Sequence, residues 1–259
     1  MSAMRSAGLE PKLAVADLRV SRENLEVLRS VSFSLPAATS LSFIGAAGSG
    51  KSVLLRALCR LLELDPLWRF SGSVILDGEE ILSSSADVAR VRRRLGLVFP
   101  SPALLPMSVF DNVVFGLRAM GVRSERALEE AYERAMRRVL LWEPLGARPK
   151  KLPESLPHEM RQRICIARAI ALEPEALLLD EPAAGLDPVA TQVLEDVLIR
   201  LRRECTLIVA TNNLQQAARL SDVTCYLARG EVVEIGDTPS LFSRPSDPRT
   251  EDFLAGRID

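Results

Sequence analysis

The chain has 259 residues, 47% hydrophobic and 26% charged, with 33 Lys and Arg against 34 Asp and Glu and a formal net charge of −1. That length suits one large domain, or one domain with an inserted subdomain, and the near-neutral balance argues against a nucleic-acid or other polyanion partner. Four scattered cysteines form no CxxC pair, so neither a zinc site nor a disulfide framework is indicated, and a reducing cytoplasm is the default compartment.

The opening stretch MSAMRSAGLEPKLAV lacks the apolar core of a signal peptide, and no uncharged apolar run reaches the ~18 residues that span a bilayer. Any membrane role is therefore expected to run through a partner. The first strand candidate is Leu13–Val20, and the second, Ser40–Ile44, leads straight into GAAGSGKS at 45–52. A helical pattern, Ser52–Leu64, follows. Strand, glycine-rich loop and helix in that order are the context that a G-x-x-x-x-G-K-[ST] phosphate loop requires. Gly45, Gly48 and Gly50 would let the backbone wrap a phosphate chain, with Ala46, Ala47 and Ser49 completing the loop. The helix start adds free N–H groups and a favourable dipole. Lys51 would reach the β- and γ-phosphates, and the Ser52 hydroxyl would ligate Mg²⁺.

Further strand candidates are Val74–Leu76 and Leu95–Phe99. From about 101 to 163 the sequence carries helical patterns, among them Ala127–Leu141, and no convincing strand, which marks an inserted helical subdomain. Beyond the helix Arg161–Leu172, EALLLDEP holds a strand, Ala176–Leu179, that ends in two acids. Asp180 would sit in the Mg²⁺ shell and Glu181 would polarise an attacking water. Val189–Arg203 and Leu214–Leu220 read as helices on either side of a strand at Thr206–Ala210. The stretch from Gly236 to Asp259 is rich in Pro, Ser and charge and reads as a loosely packed tail. Strands alternating with helices predict an α/β fold with a mostly parallel sheet.

The stretch RQRICIARAIALEPEALLLDEPAAGLDPVAT closely resembles the central segment of the ATP-binding-cassette (ABC) ATPases that power membrane transporters. SGSVILDGEEIL, VFDNVVFGLRAMGV and NNLQQAARLSD extend the resemblance, most closely to the ATPases of bacterial phosphate importers. It implies a P-loop nucleotide-binding core at about 12–100 and 164–235 with an antiparallel β portion, a helical subdomain at about 101–163 and a tail at 236–259. The cofactors implied are ATP and Mg²⁺. The implied partners are transmembrane permease subunits, a second ABC ATPase subunit (self or paralogue) and, indirectly, a substrate-binding protein. The implied location is the cytoplasmic face of the membrane, held peripherally.

Against that resemblance several positions depart. Where the family carries L-S-G-G-Q, this chain has Leu156, Pro157, His158, Glu159 and Met160. In the family this tip points at the γ-phosphate held by a second subunit. Pro157 offers no N–H, the serine hydroxyl is gone, and His158 and Glu159 add bulk. A Glu159 carboxylate ~4 Å from a phosphate oxygen would cost roughly 4 kcal/mol at an effective dielectric near 20. Pro100 stands in place of a glutamine that touches metal and water. Asn212 replaces a histidine that contacts the γ-phosphate; it can still hydrogen-bond an oxygen but carries no charge. Arg22 lies nearest to where an aromatic residue stacks on adenine, and a guanidinium can also stack on a base. AAGLDP keeps Asp187 without its usual serine. Two functions follow from this pattern: a slow but working ATPase driving an importer, or a hydrolysis-deficient nucleotide-binding partner of a transporter or paralogous ATPase.

Overall fold

Ten strands and ten α-helices form among residues 11–146 and 148–257, the part of the chain that the computed structural model describes. Strands β1 (Leu13–Arg22) and β2 (Leu25–Leu35) make a hairpin, and β1 pairs on its other side with β4 (Trp68–Leu76), which carries the two-residue β5 (Glu79–Glu80). This antiparallel sheet has the order β2-β1-β4-β5. Its inner face presents Leu13, Leu18, Val20, Leu28 and Val31, all fully buried. The alternation of these with exposed polar neighbours is what a sheet with one solvated face demands.

The second sheet has the order β10-β9-β3-β8-β7-β6. Its centre is β3 (Ser40–Ile44), β8 (Thr206–Ala210) and β7 (Ala176–Asp180), in which every residue is buried. β6 (Leu95–Val98) and β9 (Val223–Ala228) extend it in parallel, and β10 (Glu231–Asp237) closes one edge antiparallel to β9. Strands covered on both faces read as continuous apolar runs, which explains why LLL and LIVA stood out in the sequence.

Helix α1 (Lys51–Leu58) lies between the two sheets, and its Leu54, Leu55 and Leu58 join both inner faces in one core. Helix α2 (Val88–Arg94) leads into β6, capped by the Asp87 carboxylate on the Ala89 and Arg90 N–H groups. The expected helical subdomain is present as α3 (Val109–Ala119), α4 (Glu125–Arg138), α5 (Trp142–Leu145) and α6 (His158–Ile170). Ser108 and Ser124 cap α3 and α4, while Pro157 precedes α6 without any side-chain cap. These helices and α7 (Pro188–Leu201) cover the other face of the parallel sheet in a second core. Asp187 caps α7 and Asn213 caps α8 (Leu214–Leu220).

β2, β9 and β10 were not anticipated as strands. β9 and β10 are joined by Arg229 and Gly230, both at positive φ (51° and 81°), the backbone of a tight two-residue hairpin turn. Arg-Gly is a poor sequence signal for that turn, so the hairpin was hidden. The reading of residues 236–257 as a loose tail is also corrected. They form α9 (Thr238–Ser243) and α10 (Pro248–Leu254), and Phe253 stacks on Tyr226 of β9 with ring centres 4.6 Å apart. Glu234 of β10 accepts the Ser246 and Asp247 N–H groups at 2.8 and 3.1 Å, tying the segment down.

Candidate functional site

The carboxyl ends of β3, β7 and β8 converge, and β3 lies between β8 and β9 while its chain neighbours leave for the other sheet. Such a switch point at the carboxyl end of a parallel sheet is where α/β folds open a crevice. Here it is a cavity of about 690 Å³ lined by Gly48, Ser49, Lys51, Ser52, Glu181 and Asn212, among others.

The loop from β3 to α1 owes its shape to two glycines. Gly45 has φ of 150°, and a Cβ there would run into the Leu227 carbonyl oxygen. Gly50 has φ of 108°, and a Cβ there would lie 2.7 Å from Leu28 Cδ2. The loop therefore presses against β9 and β2 and opens its other side to the cavity. Lys51 is buried and curls back, donating to the Gly45 carbonyl, the Ala46 carbonyl at 2.9 Å and Ser49 Oγ at 3.4 Å. Burial lowers its pKa from the usual lysine value, although Glu181 and Asp180 partly offset this.

Ser52 Oγ donates to Asp180 Oδ1 at 2.7 Å, which brings the two expected metal-site residues together. Asp180 is 1% exposed, and its Oδ2 has no hydrogen-bond partner; the nearest cation is Arg56, 3.8 Å away. A buried carboxylate oxygen without a partner, next to a hydroxyl, is a donor set that fits a hard divalent cation such as Mg²⁺. Among the described residues no three His, Cys, Asp or Glu side chains cluster for metal binding. A cation at Ser52 and Asp180 would thus take its remaining ligands from phosphate and water.

Glu181 follows β7 with φ of 43°, a left-handed backbone that is costly for a residue with a Cβ. Its own N–H donates to the Ala210 carbonyl at 2.8 Å, and its Oε2 accepts the Asn212 N–H at 3.2 Å. Burial raises its pKa above the usual carboxylate range, the Asn212 N–H and Lys51 pulling the other way. Glu181, Asn212 and the loop of residues 45–52 are thus one site.

Arg22 is not part of that lining. Its guanidinium pairs with Asp65 at 3.3 Å and lies 5.8 Å from the Trp68 ring centre. The residue of the β1–β2 hairpin that lines the cavity is Val27. Thr211, Asn213 and Gln216 also line it and were missed. Gln216 is buried with an unpartnered Nε2, a feature that no local pattern in NNLQQAA reveals.

The tip formed by residues 156–160 differs from the expectation in one respect. The Glu159 carboxylate does not project from the helix start. It folds back along α6 to Arg163, 3.6 Å away, and its Oε2 is buried without a hydrogen bond. Arg163 in turn donates to the Val139 and Leu140 carbonyls. His158 buries an unpartnered Nδ1, and its ring faces Gly185, where a Cβ would lie 3.8 Å from Cε1. One turn further, Gln162 donates to the Phe99 carbonyl at 2.9 Å, joining α6 to the loop that holds Pro100.

The sequence profile described as ABC transporter matches residues 28–184. The chain is 40% identical to the phosphate import ATP-binding protein PstB 3 from two strains of Streptococcus pneumoniae, over 91% of this chain and 94% of each relative. Among solved structures, CbiO1 from Clostridium perfringens, part of the ABC transporter complex CbiONQ, superposes with a TM-score of 0.80 over 96% of this chain and 98% of that one. At 24% identity, that last likeness speaks for the fold.

Proposed function

The chain belongs to the ABC transporter family, as an ATP-binding subunit, and from that premise we propose that it binds Mg-ATP at residues 45–52 and couples slow hydrolysis to import of a phosphate-like cargo. The observation that carries this reading is a cavity lined by Lys51, Ser52 and Glu181, with Asp180 hydrogen-bonded to Ser52 behind it. The cargo rests on the 40% identity to phosphate import proteins.

In this reading the backbone N–H groups at the start of α1 and the Lys51 ammonium hold the phosphates, Lys51 exchanging its carbonyl partners for phosphate oxygens. Ser52 and Asp180 would hold the cation, which when bound would screen phosphate charge. Glu181, fixed by its backbone bonds and by the Asn212 N–H, accepts hydrogen bonds from the attacking water and draws its proton. A second ATPase subunit, a copy or a paralogue, pairs head to tail across the nucleotide, and permease subunits receive the motion. In this reading the protein works at the cytoplasmic face of the membrane, held there by its permease partners.

A second reading, a nucleotide-binding partner without turnover, is favoured by the tip: Pro157 has no N–H to offer, and His158 and Glu159 put side chains in the first turn of α6, where Glu159 is turned back to Arg163. Steady-state hydrolysis of Mg-ATP by the purified chain, with Glu181→Gln as control, decides between them. Turnover that disappears in the control supports the engine. Tight ATP binding with no turnover above the control supports the partner.

A further inference from the structure

A second cavity of about 690 Å³ lies in the helical subdomain, between the start of α3, one face of α4 and the segment from α5 to Lys150, and it shares no lining residue with the first. Three aromatic rings from separate helices meet in its wall. Tyr132 is central: its ring centre lies 5.1 Å from that of Phe110 and 6.1 Å from that of Trp142, both in edge-on contact. Tyr132 is 3% exposed, and its hydroxyl is buried without a hydrogen-bond partner. Burial pushes its pKa up to about 12, so the phenol stays neutral and its oxygen remains free to accept. A buried hydroxyl left unpaired is costly, so its position asks for a partner.

The two outer rings each hold a cation that is itself tied to an acid. Arg118 lies 5.6 Å from the Phe110 ring centre and pairs with Asp111 at 2.5 Å. Arg137 lies 4.9 Å from the Trp142 ring centre and pairs with Glu133 at 2.8 Å. Ring, cation and carboxylate thus recur on both sides. In the middle, Tyr132 supplies a ring and Glu129, one turn before it on α4, supplies a carboxylate lining the same cavity. Among the described residues no cation lies over Tyr132 and none pairs with Glu129. The middle unit lacks its cation. Glu129 also stands four residues from both Glu125 and Glu133, and like charges at that spacing on a helix repel. Of the two cations in the lining, Arg126 pairs with Glu130 at 2.9 Å, and Lys150 pairs with no acid among the described residues.

We propose that this cavity binds a linear aliphatic polyamine: one ammonium group takes the place of the missing cation, paired with Glu129 and donating to the Tyr132 hydroxyl oxygen, while a second reaches Glu125 and the methylenes between them pack on the aromatic rings. Glu125 is free to take part, since its partner Arg118 stands 3.7 Å away. Carboxylates one turn apart follow each other at ~6 Å along the helix axis, a spacing that ammonium groups separated by three or four methylenes can match. Aromatic walls favour such a ligand over a metal ion. A hard divalent cation needs several oxygen ligands and keeps its water, whereas an alkylammonium chain gains from the ring faces and from burying its methylenes. The site stands apart from the nucleotide-binding reading and does not depend on it. Its rings come from α3, α4 and α5, so no single stretch of sequence reveals it.

The test is calorimetric titration of the purified full chain with spermidine, with magnesium chloride at matched ionic strength as the competitor. A single saturable site is expected, and magnesium should not displace the amine from it. Tyr132→Phe should weaken spermidine about fivefold without lowering the melting temperature, because the hydroxyl it removes bonds nothing in the fold. Glu129→Gln should weaken it about fivefold. Trp142→Leu should cost about tenfold and Trp142→Phe less, since a ring remains. Lys150→Ala removes a competing cation and should tighten binding about twofold. The chain has two tryptophans. With Trp68→Phe in place, spermidine should therefore change the Trp142 emission, whereas magnesium should not. The proposal is overturned if spermidine shows no saturable binding, or if Tyr132→Phe and Glu129→Gln both bind it like the unsubstituted chain. It is also overturned if magnesium displaces spermidine at equal ionic strength, which would reduce the cavity to an acidic surface that attracts any cation.

Discussion

The phosphate loop and the tip of α6 are both starts of helices, and they solve opposite problems. At the loop, the side chains withdraw from the space in front of α1: Lys51 turns back to the Gly45 and Ala46 carbonyls, and Ser52 bonds Asp180. The result is an open cavity rimmed by donors. At the tip, the first turn carries the bulk of His158 and Glu159 instead, although neither side chain caps the helix start. Glu159 supplies a first-turn carboxylate that suits the positive end of α6 and pairs with Arg163 one turn on. A helix N-terminus binds an anion only while its own residues leave it vacant. In this chain the first helix start opens on a cavity lined by donors, whereas the second has no side-chain cap and carries a carboxylate turned along the helix to Arg163.

The largest test of that contrast removes the cation at the open site. Lys51→Ala should weaken ATP binding about a hundredfold, since a charge-assisted contact to phosphate is lost from a buried position. Titration with a fluorescent ATP analogue reads it directly, and unchanged affinity would mean that phosphate is held elsewhere. The next test empties the filled site. Pro157→Ser, His158→Gly and Glu159→Gly together should raise turnover roughly tenfold, because preorganised contacts of this kind commonly change rates by 10²–10³ when removed singly. If the rate does not move, the block lies at Pro100 or Asn212, and the comparison between the two helix starts loses its functional meaning.

The open site was legible in the sequence because each of its parts is local. GAAGSGKS sits between a strand and a helix, and LLLDE places both acids at one strand end, so chemistry and position are written in one short stretch. The tip was legible as a departure, but its outcome was not. Whether Glu159 faces outward or folds back depends on Arg163 and on the Val139 and Leu140 carbonyls that Arg163 also reaches, which belong to the segment after α4. Val27 and Gln216 were invisible for the same reason: they join the cavity only once β2 and α8 have been packed against it. In the fold, fully buried β3, β7 and β8 announced themselves as apolar runs. β9 and β10 did not, because an Arg-Gly turn carries little signal. The end of the chain read as loose because its residues are polar, although Glu234 and the Phe253–Tyr226 stack hold it in place.

A smaller effect sharpens the structural side of the contrast. Glu159→Gln should lower the melting temperature by about 3 °C, the equivalent of about 1 kcal/mol in a chain of this size. The substitution keeps the shape and removes the charge that faces Arg163, whose pKa burial already lowers and which Glu159 partly restores. Differential scanning fluorimetry measures it. A rise instead of a fall would show that the pair costs more in desolvation than it returns, and that the tip was filled at the expense of stability.

The smallest effect carries the opposite sign and belongs to the open site. Glu181 is raised above the usual carboxylate range, first by burial and then by Asp180, with the Asn212 N–H and Lys51 opposing. A carboxyl that binds its proton more tightly folded than unfolded destabilises the fold when ionised. That cost is fully present above the folded pKa and fades as the pH falls toward the ordinary value of 4.5. Glu181→Gln keeps an oxygen for the Asn212 N–H and abolishes the charge, so without nucleotide it should raise the melting temperature by roughly 1–2 °C at pH 8. The gain should shrink as the pH falls and vanish only below the ordinary value of 4.5. Glu159→Gln, at the filled site, should show no such gain at pH 8. A buried, strained carboxylate that destabilises the empty protein is what a site held open for a ligand is expected to contain. If Glu181→Gln brings no gain at pH 8, the carboxylate costs the empty protein nothing, and the two helix starts cease to differ in the way their structures indicate.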